Sequence, residues 1–168
     1  MNVDEDKKHS EFLKAYDAYS DAIFRHCYFR VSDRERAQEL TQDTFMRAWD
    51  SISKGNVVEN MRAFLYRIAN NLIIDEYKKK KTVSLDGLVE DGYQPKIEES
   101  NWNDIIDAKQ LVQCLDRVEE PYRTAVIMRY IDGFSPKEIA ATCKESANVI
   151  SVRITRGIEK LRQLFPSL

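Results

Sequence analysis

The chain has 168 residues, of which 43% are hydrophobic, and its formal net charge is -2. This length fits one ordinary domain or two small ones, and the apolar content is ample for packed cores, which excludes a disordered chain as the default. The near-neutral charge excludes a basic protein that coats nucleic acid over its whole surface. The distribution of the basic residues is therefore more informative than their number.

The sequence contains no signals for secretion, metal binding or catalysis. No apolar run is long enough to span a bilayer, and the first ten residues, MNVDEDKKHS, are acidic and polar, so we expect a cytoplasmic protein without membrane insertion. Cys27, Cys114 and Cys143 are far apart, which predicts buried or half-buried free thiols rather than zinc ligands or disulfides. His9 and His26 are isolated and the glycines are scattered. We therefore expect no catalytic residues, no metal and no cofactor.

The first third of the chain predicts two helices. Apolar residues recur at helical spacing in residues 10–29, without Gly or Pro, and predict a core helix. Ser32 followed by Glu35 is a capping-box pattern, which predicts a second helix that ends at Gly55. Its outer face mixes charges with an exposed thioether, and is either a solvated surface or a docking face. The residues on it are Gln38, Gln42, Asp43, Met46, Arg47 and Asp50.

A third helix is predicted over residues 60–81, NMRAFLYRIANNLIIDEYKKKK, with Asn60 as its N-cap. Its apolar stripe consists of Phe64, Leu65, Ile68, Leu72 and Ile73, and its polar face carries Arg67, Asn70, Asn71, Asp75 and Lys78. Asn amides can pair with a base edge, and the four lysines 78–81 can neutralise phosphates, so this face is predicted to meet DNA. The alternative is a solvated amphipathic helix whose terminal lysines complement the helix dipole.

Residues 82–103, TVSLDGLVEDGYQPKIEESNWN, show no sustained period and contain two Gly, a Pro and several acids. They predict an acidic linker. The fold class expected from this pattern is all-α, with a three-helix domain over residues 1–81 and a second small helical domain over residues 104–168.

The second domain has the sequence pattern of a helix-turn-helix. Pro121 is predicted as the first residue of a helix that Gly133 ends. Ser135, Pro136 and Glu138 form a capping box that opens a short helix. After a three-residue turn, Ser146 caps a longer helix that Pro166 ends.

The longer helix would enter the major groove of DNA. Its candidate contacts with bases and phosphates are Ser146, Asn148, Ser151, Val152, Arg153, Thr155 and Arg156. The alternative is that Arg153, Arg156 and the nearby Lys160 and Arg162 are ordinary solvated helix residues. The helix-turn-helix context favours DNA contact.

Three blocks of this sequence resemble the extracytoplasmic-function class of bacterial RNA polymerase sigma factors. They are RERAQELTQDTFMRAWDSI, MRAFLYRIANNLIIDEYKKKK and EEPYRTAVIMRYIDGFSPKEIAATCKESANVISVRITRGIEKLRQLF. The resemblance implies a two-domain, non-enzymatic protein that binds core RNA polymerase, recognises promoter DNA at two elements and helps to melt it. It also implies a partner, an anti-sigma factor.

The resemblance assigns roles to particular residues. The helix over residues 34–51 would dock on the polymerase, through Gln42, Asp43 and Arg47. The loop 53–60 and the following helix would hold an unpaired base of the minus-ten element. The resemblance points there to Asn71, Asp75 and Lys78, and the N-cap and polar face of the helix add Asn60, Arg67 and Asn70 as candidates. The helix-turn-helix would read the minus-thirty-five element.

This chain departs from the family pattern at the second element. Lys144 stands where Gly is common, so a positive φ there would cost about 1 kcal/mol. Glu145 stands where an apolar residue is usual. Ser151 and Val152 replace a common Arg or Lys and a common Ser, so the usual contact from Arg to guanine is missing and the promoter sequence cannot be carried over.

Two other functions fit the same residues. One is a stand-alone helix-turn-helix regulator whose first domain dimerises, which would bind duplex DNA specifically without polymerase. The other is a helical interaction protein that uses this scaffold without touching DNA.

Overall fold

The structure of the chain, a computed structural model, describes residues 2–86 and 102–164. These residues form helices and turns, with no strand among them. The chain divides into two compact units, one formed by Met1–Cys27 and Glu35–Val89 and the other by Tyr28–Arg34 and Glu90–Leu168. The predicted all-α class with two small helical domains is confirmed.

Three helices build the first unit: α1 (Val3–Val31), α2 (Arg34–Ser53) and α3 (Met61–Asp86). α1 begins seven residues before the predicted helix, and its first turn holds Asp4, Glu5 and Asp6, whose charges suit the positive end of a helix dipole. The core of the unit contains aliphatic side chains together with the buried rings of Phe45 and Tyr66. Ile23, Leu40, Leu65 and Ile73 come from all three helices and are essentially inaccessible to solvent.

Aromatic side chains join α1 to α2. The ring of Phe12 lies 5.1 Å from that of Trp49, and the ring of Tyr16 lies 4.8 Å from that of Phe45. Such edge-on and tilted pairs add to the stabilisation that their burial provides. Tyr16 stays 45% exposed although its ring packs against that of Phe45.

The passage from α1 to α2 differs from the prediction at Ser32. The Ser32 backbone is left-handed (φ 57°), and its N–H donates to the Tyr28 carbonyl at 2.8 Å, which closes α1. Its hydroxyl donates to the Asp116 carboxylate at 2.5 Å, and α2 begins only at Arg34. The predicted capping box of Ser32 and Glu35 is therefore wrong, because the Ser32 side chain is engaged with Asp116.

The end of α2 and the start of α3 follow the prediction. Gly55 has φ 92°, a conformation open to glycine, and its N–H donates to the Ile52 carbonyl. The Asn60 side-chain oxygen accepts the Ala63 N–H at 3.0 Å, as an N-cap does. α3 runs five residues past its predicted end, so residues 82–86 of the predicted linker are helical. Residues 87–101, the remainder of that linker up to α4, lie outside the described residues.

The second unit contains α4 (Trp102–Asp116), α5 (Tyr122–Val126), a π-helical segment (Ile127–Ile131), α6 (Pro136–Cys143) and α7 (Ala147–Leu164). Pro121 occupies the N-cap of α5 rather than its first helical position. The predicted stop of α7 at Pro166 lies outside the described residues. The core cluster of this unit consists of Cys114, Leu115, Val118, Val126, Ile127 and Leu161.

Gly157 lets α7 approach α5 closely. A Cβ at this position would overlap the Val126 Cγ2 atom and stand 3.2 Å from the Tyr122 carbonyl oxygen. Any larger residue would push the two helices apart. The close approach keeps α7 seated on the core of the second unit.

The last turn of α1 also belongs to this second unit. Phe29 packs against its core cluster, and Arg30 has a side chain only 1% exposed, with Nε 3.3 Å from the Glu120 carboxylate. Glu120 also lies 3.4 Å from Arg123 Nε and accepts the Thr124 hydroxyl. The buried guanidinium is thus compensated by a carboxylate that is itself held by hydrogen bonds.

The remaining expectations about the chain concern its thiols and membranes. Cys27 and Cys114 are buried and Cys143 is half-buried, all three as free thiols, as predicted. In residues 2–86 and 102–164, no helix has the length and apolar character needed to cross a bilayer.

Candidate nucleic-acid interface

α6 and α7 form the predicted helix-turn-helix. The Ser135 hydroxyl accepts the Glu138 N–H at 3.2 Å, and the Glu138 carboxylate accepts the Ser135 N–H at 2.7 Å. Pro136 takes the first helical position. The predicted capping box is confirmed, and it fixes where the short helix starts.

The turn between the two helices contains the left-handed residue that its sequence predicted. Lys144 has φ 55° and ψ 46°, and its N–H donates to the Ala140 carbonyl. The Glu145 N–H donates to the same carbonyl at 3.0 Å, and the Ser146 hydroxyl accepts the Val149 N–H at 3.2 Å to cap α7. The three turn residues thus satisfy the end of one helix and the start of the next.

The outward face of α7 is defined by the side opposite its buried stripe. The buried residues are Ile150, Ile154, Gly157 and Leu161. At ~100° per residue, Val152 lies opposite this stripe, with Asn148 and Arg156 about 40° to either side. All three are exposed.

Ser151 and Arg153 lie on the flanks of α7, each about 100° from Val152. Arg153 Nη2 is 3.1 Å from the Glu145 carboxylate, an ion pair that spans the turn and the first two turns of α7. The exposed Thr155 donates its hydroxyl to the Ser151 carbonyl at 3.1 Å. The outward centre of α7 is therefore Val152, with the exposed Arg156 about 40° away on the same face and Arg153 held on the flank by Glu145.

α3 presents a second exposed face. Arg67, Asn71, Asp75 and Lys78 are all exposed and lie within about 80° around the helix axis. Asn70 was predicted on the same face, and this placement is wrong. Its side chain is 3% exposed, because it lies about 100° from Asn71, on the side that packs into the first unit.

An ion pair holds the second half of α3 against α2. Arg36 binds Glu76 through two hydrogen bonds, Nε to Oε1 at 2.8 Å and Nη2 to Oε2 at 2.6 Å. These bonds from Arg36 lower the pKa of Glu76 below its ordinary value, against the opposing effect of burial. A bidentate pair of this kind restricts rotation of α3, so the direction of its exposed face is fixed.

The exposed face of α2 lies on the same unit. Gln42 and Arg47 are exposed and Asp43 is half-buried, as the sequence predicted for a mixed outer face. Met46, between them, is 68% exposed. A Met side chain is flexible and polarisable, so an exposed Met can adapt its packing to the surface of a binding partner.

A cavity of about 230 Å³ lies beside the loop between α2 and α3. The loop contributes Gly55, Asn56, Val57 and Val58 to its lining, and α1 contributes residues of both charges. Val57 projects its side chain almost wholly into solvent. The loop predicted to enclose a base therefore borders a concave surface.

The sequence analysis missed one contact and one residue of these faces. The pairing of Glu145 with Arg153 crosses eight residues and a turn, a separation for which helical periodicity gives no signal. Ile74 lies on the exposed face of α3 and is partly accessible. Its exposure follows from the phase of the helix, because Ile73 takes the buried position.

Two family descriptions match the chain. Residues 15–83 match Sigma-70 region 2, and residues 108–161 match Sigma-70, region 4, which together cover more than half of the sequence. The first unit carries the exposed faces of α2 and α3, and the second carries the helix-turn-helix. The two matched regions thus contain both candidate DNA-binding surfaces.

Individual relatives agree with this match. ECF RNA polymerase sigma factor SigW of Bacillus subtilis (strain 168) is 30% identical over 171 residues, which covers 90% of this chain and 87% of that protein. ECF RNA polymerase sigma factor SigE of Mycolicibacterium smegmatis is 28% identical over 148 residues, covering 86% of this chain and 57% of that protein.

A solved structure shares the fold. The sigma factor RpoE of Bartonella quintana, in a co-crystal structure with the anti-sigma factor NepR, superposes with a TM-score of 0.77 at 23% identity, covering 94% of this chain and 98% of that one. Fold and matched regions together define a helical transcription initiation factor. The chain belongs to the sigma-70 family, in its extracytoplasmic-function (ECF) group, and directs transcription initiation at promoters.

Proposed function

We propose that this sigma factor binds core RNA polymerase through α2, holds the minus-ten element with α3 and the loop before it, and reads the minus-thirty-five element with α7. The observation that carries the proposal is the exposed stripe of Arg67, Asn71 and Lys78 on a helix fixed by the Arg36–Glu76 pair. An amide between two cations can hydrogen-bond a base edge while its neighbours attract phosphates.

The α2–α3 loop extends this surface in our proposal. The cavity beside it offers room for a group about the size of a base, and Asn60 caps α3 at the end of the loop. Enclosure and edge hydrogen bonds together would favour a base that has left the duplex stack. Asp75, on the same stripe, would repel phosphates and favour contact with the amino groups of bases instead.

The polymerase contact is assigned to Gln42, Asp43 and Arg47. Support comes from the exposed Met46 between them, because a large apolar side chain surrounded by polar groups is typical of the centre of an interface. The duplex contact of α7 is assigned to Ser146, Asn148, Ser151, Val152, Arg153, Thr155 and Arg156. In this assignment Arg153 approaches the DNA from the flank, paired with Glu145.

An anti-sigma factor is the further partner that we propose. The RpoE structure that shares this fold was solved with such a partner, and a protein that covers the exposed faces of α2 and α7 would block both proposed contacts. An anti-sigma factor bound to one of these faces would exclude polymerase or DNA from the same face, so each ligand would weaken the binding of the other.

The test uses Asn71→Ala with Gln113→Ala as its matched control, since both residues are exposed amides on helices. In run-off transcription with core polymerase on a duplex promoter, Asn71→Ala should lower the initiation rate about tenfold, the effect of losing a bidentate base contact. Gln113→Ala, on α4, should leave it unchanged. Both variants should keep the wild-type midpoint of urea unfolding.

Full activity of Asn71→Ala would contradict the assignment of α3 to promoter DNA. Lys78→Ala provides a second measurement, because losing one phosphate contact reduces the slope of the salt dependence of promoter binding by about one unit. An unchanged slope for Lys78→Ala would place that lysine outside the DNA contact.

A further inference from the structure

The outward face of α7 carries two partly exposed apolar side chains. Val149 is 37% exposed and Val152 is 48% exposed, and they are one helical turn apart. A β-branched residue at an exposed helix position loses rotamer freedom and gains little burial in return. Their position is better explained by a ligand than by the stability of the unit.

Their place on the helix identifies the kind of ligand. Both lie in the first two turns of α7, the part of a recognition helix that meets base edges in the major groove. Val152 lies opposite the buried stripe, so it is the residue that would approach the groove floor most directly. The one apolar group that base pairs present in the major groove is the 5-methyl group of thymine.

Two polar residues near Val152 also favour contact with an A·T base pair. Arg153, which could otherwise read guanine, is turned aside by its ion pair with Glu145. Asn148, exposed on the neighbouring position, has the paired donor and acceptor that suit adenine. The face therefore has an apolar centre, flanked on one side by an amide that suits A·T pairs and on the other by the exposed cation of Arg156.

We propose that Val152 is a specificity-determining residue of this sigma factor, and that it packs, with Val149 beside it, on the 5-methyl group of a thymine in the upstream promoter element. The proposal rests on the function proposed for α7. It predicts that one thymine of that element is selected for its methyl group and that this selection depends on Val152.

The test removes the methyl group alone. A promoter that the reconstituted holoenzyme uses is synthesised with deoxyuridine in place of each thymine of the upstream element in turn, and run-off transcription is measured on each template. At one position the wild type should lose about three- to fourfold in initiation rate, the ratio that corresponds to one buried methyl group. The other positions should show no loss.

Two variants locate the effect. Val152→Ala should use thymine and deoxyuridine templates equally at the sensitive position, and alanine favours the helix, so the variant should fold. Gln113→Ala, an exposed position on α4 outside the proposed DNA contact, should keep the wild-type ratio. A matched urea midpoint for both variants shows that the comparison concerns DNA reading rather than folding.

The outcomes separate this proposal from the broader one. Two results would overturn the methyl contact and leave the function of α7 standing. One is transcription that depends on this protein from promoters with no thymine in the upstream element. The other is equal use of the thymine and deoxyuridine templates at every position. If Val152→Ala keeps the methyl effect, or lowers transcription equally on all templates, Val152 contacts another ligand, such as a protein, and the proposal fails. Absence of any chain-dependent start overturns both proposals.

Discussion

Lys144 carries a left-handed backbone conformation in the turn of the helix-turn-helix, with φ 55°. Side chains with a Cβ pay about 1–2 kcal/mol for this conformation, whereas glycine adopts it without steric cost. The turn keeps its shape because the N–H groups of Lys144 and Glu145 both reach the Ala140 carbonyl. The strain is local and is compensated by the capping of α6.

Replacing Lys144 by glycine should therefore stabilise the protein by about 1 kcal/mol, after allowance for the greater freedom of glycine in the unfolded chain. Lys137→Gly is the matched control, because Lys137 is also exposed but helical, and this change should destabilise by up to about 1 kcal/mol. Urea denaturation at pH 7 measures both. If Lys144→Gly is no more stable than the wild type, the left-handed conformation carries no cost.

Some features of single residues could be predicted from the sequence, and others could not. The positive φ at Lys144 could be predicted, because turn chemistry is local and the family pattern has glycine there. Asn70 and Asn71 could not be separated, because they are adjacent, chemically identical and about 100° apart around α3. Their burial depends on which side of the helix the rest of the unit covers.

At the scale of helices, local caps were predictable and distant ones were not. Ser135 and Glu138 are three residues apart and form their capping box as expected. Ser32 and Glu35 have the same spacing, yet Ser32 bonds to Asp116, 84 residues further along the chain. A partner at that distance competes successfully with a local cap, and no sequence pattern shows that it exists.

Arg30, in the last turn of α1, forms an ion pair with Glu120, which lies just before α5. The Arg30 side chain is 1% exposed. Burial alone would raise the pKa of Glu120, but the charge of Arg30, with the hydrogen bond from Thr124 and the charge of Arg123, holds that pKa below its ordinary value. A carboxyl group with a lowered pKa contributes stability above its unfolded pKa, and this contribution is lost as the pH falls through the folded value.

Glu120→Gln should therefore destabilise the protein by about 2 kcal/mol at pH 7, because it leaves the Arg30 guanidinium buried without its counter-charge. The neighbouring Glu119→Gln removes an exposed ion pair with Lys160 and should change the stability much less. Urea denaturation followed by circular dichroism at a series of pH values makes the comparison.

The pH dependence has a definite sign. Above the unfolded pKa of about 4.3 the wild type should be more stable than Glu120→Gln, and the difference should shrink as the pH falls below about 4. Equal stabilities of Glu119→Gln and Glu120→Gln at pH 7 would contradict the role given to this pair. A difference that persists unchanged at low pH would contradict the titration of Glu120.

For the whole chain, the sequence predicted the three helices of the first unit, the division into two helical domains and the helix-turn-helix of the second domain. These features follow from apolar periodicity and from Gly, Pro and capping residues, all of which act locally. The assignment of Tyr28–Arg34 to the second unit could not be predicted, because Phe29 and Arg30 depend on partners about ninety residues away. The exposed faces followed from helix phase once the buried stripes were known.

The promoter-directing function is tested by mapping the transcription starts that core RNA polymerase makes on genomic fragments with and without this protein. We predict a set of starts that appear only with the protein, preceded by two shared sequence elements, and lost with Asn71→Ala but kept with Gln113→Ala. Two results together would contradict this function. They are an identical set of starts with and without the protein, and failure of the protein to co-elute with core polymerase at low ionic strength.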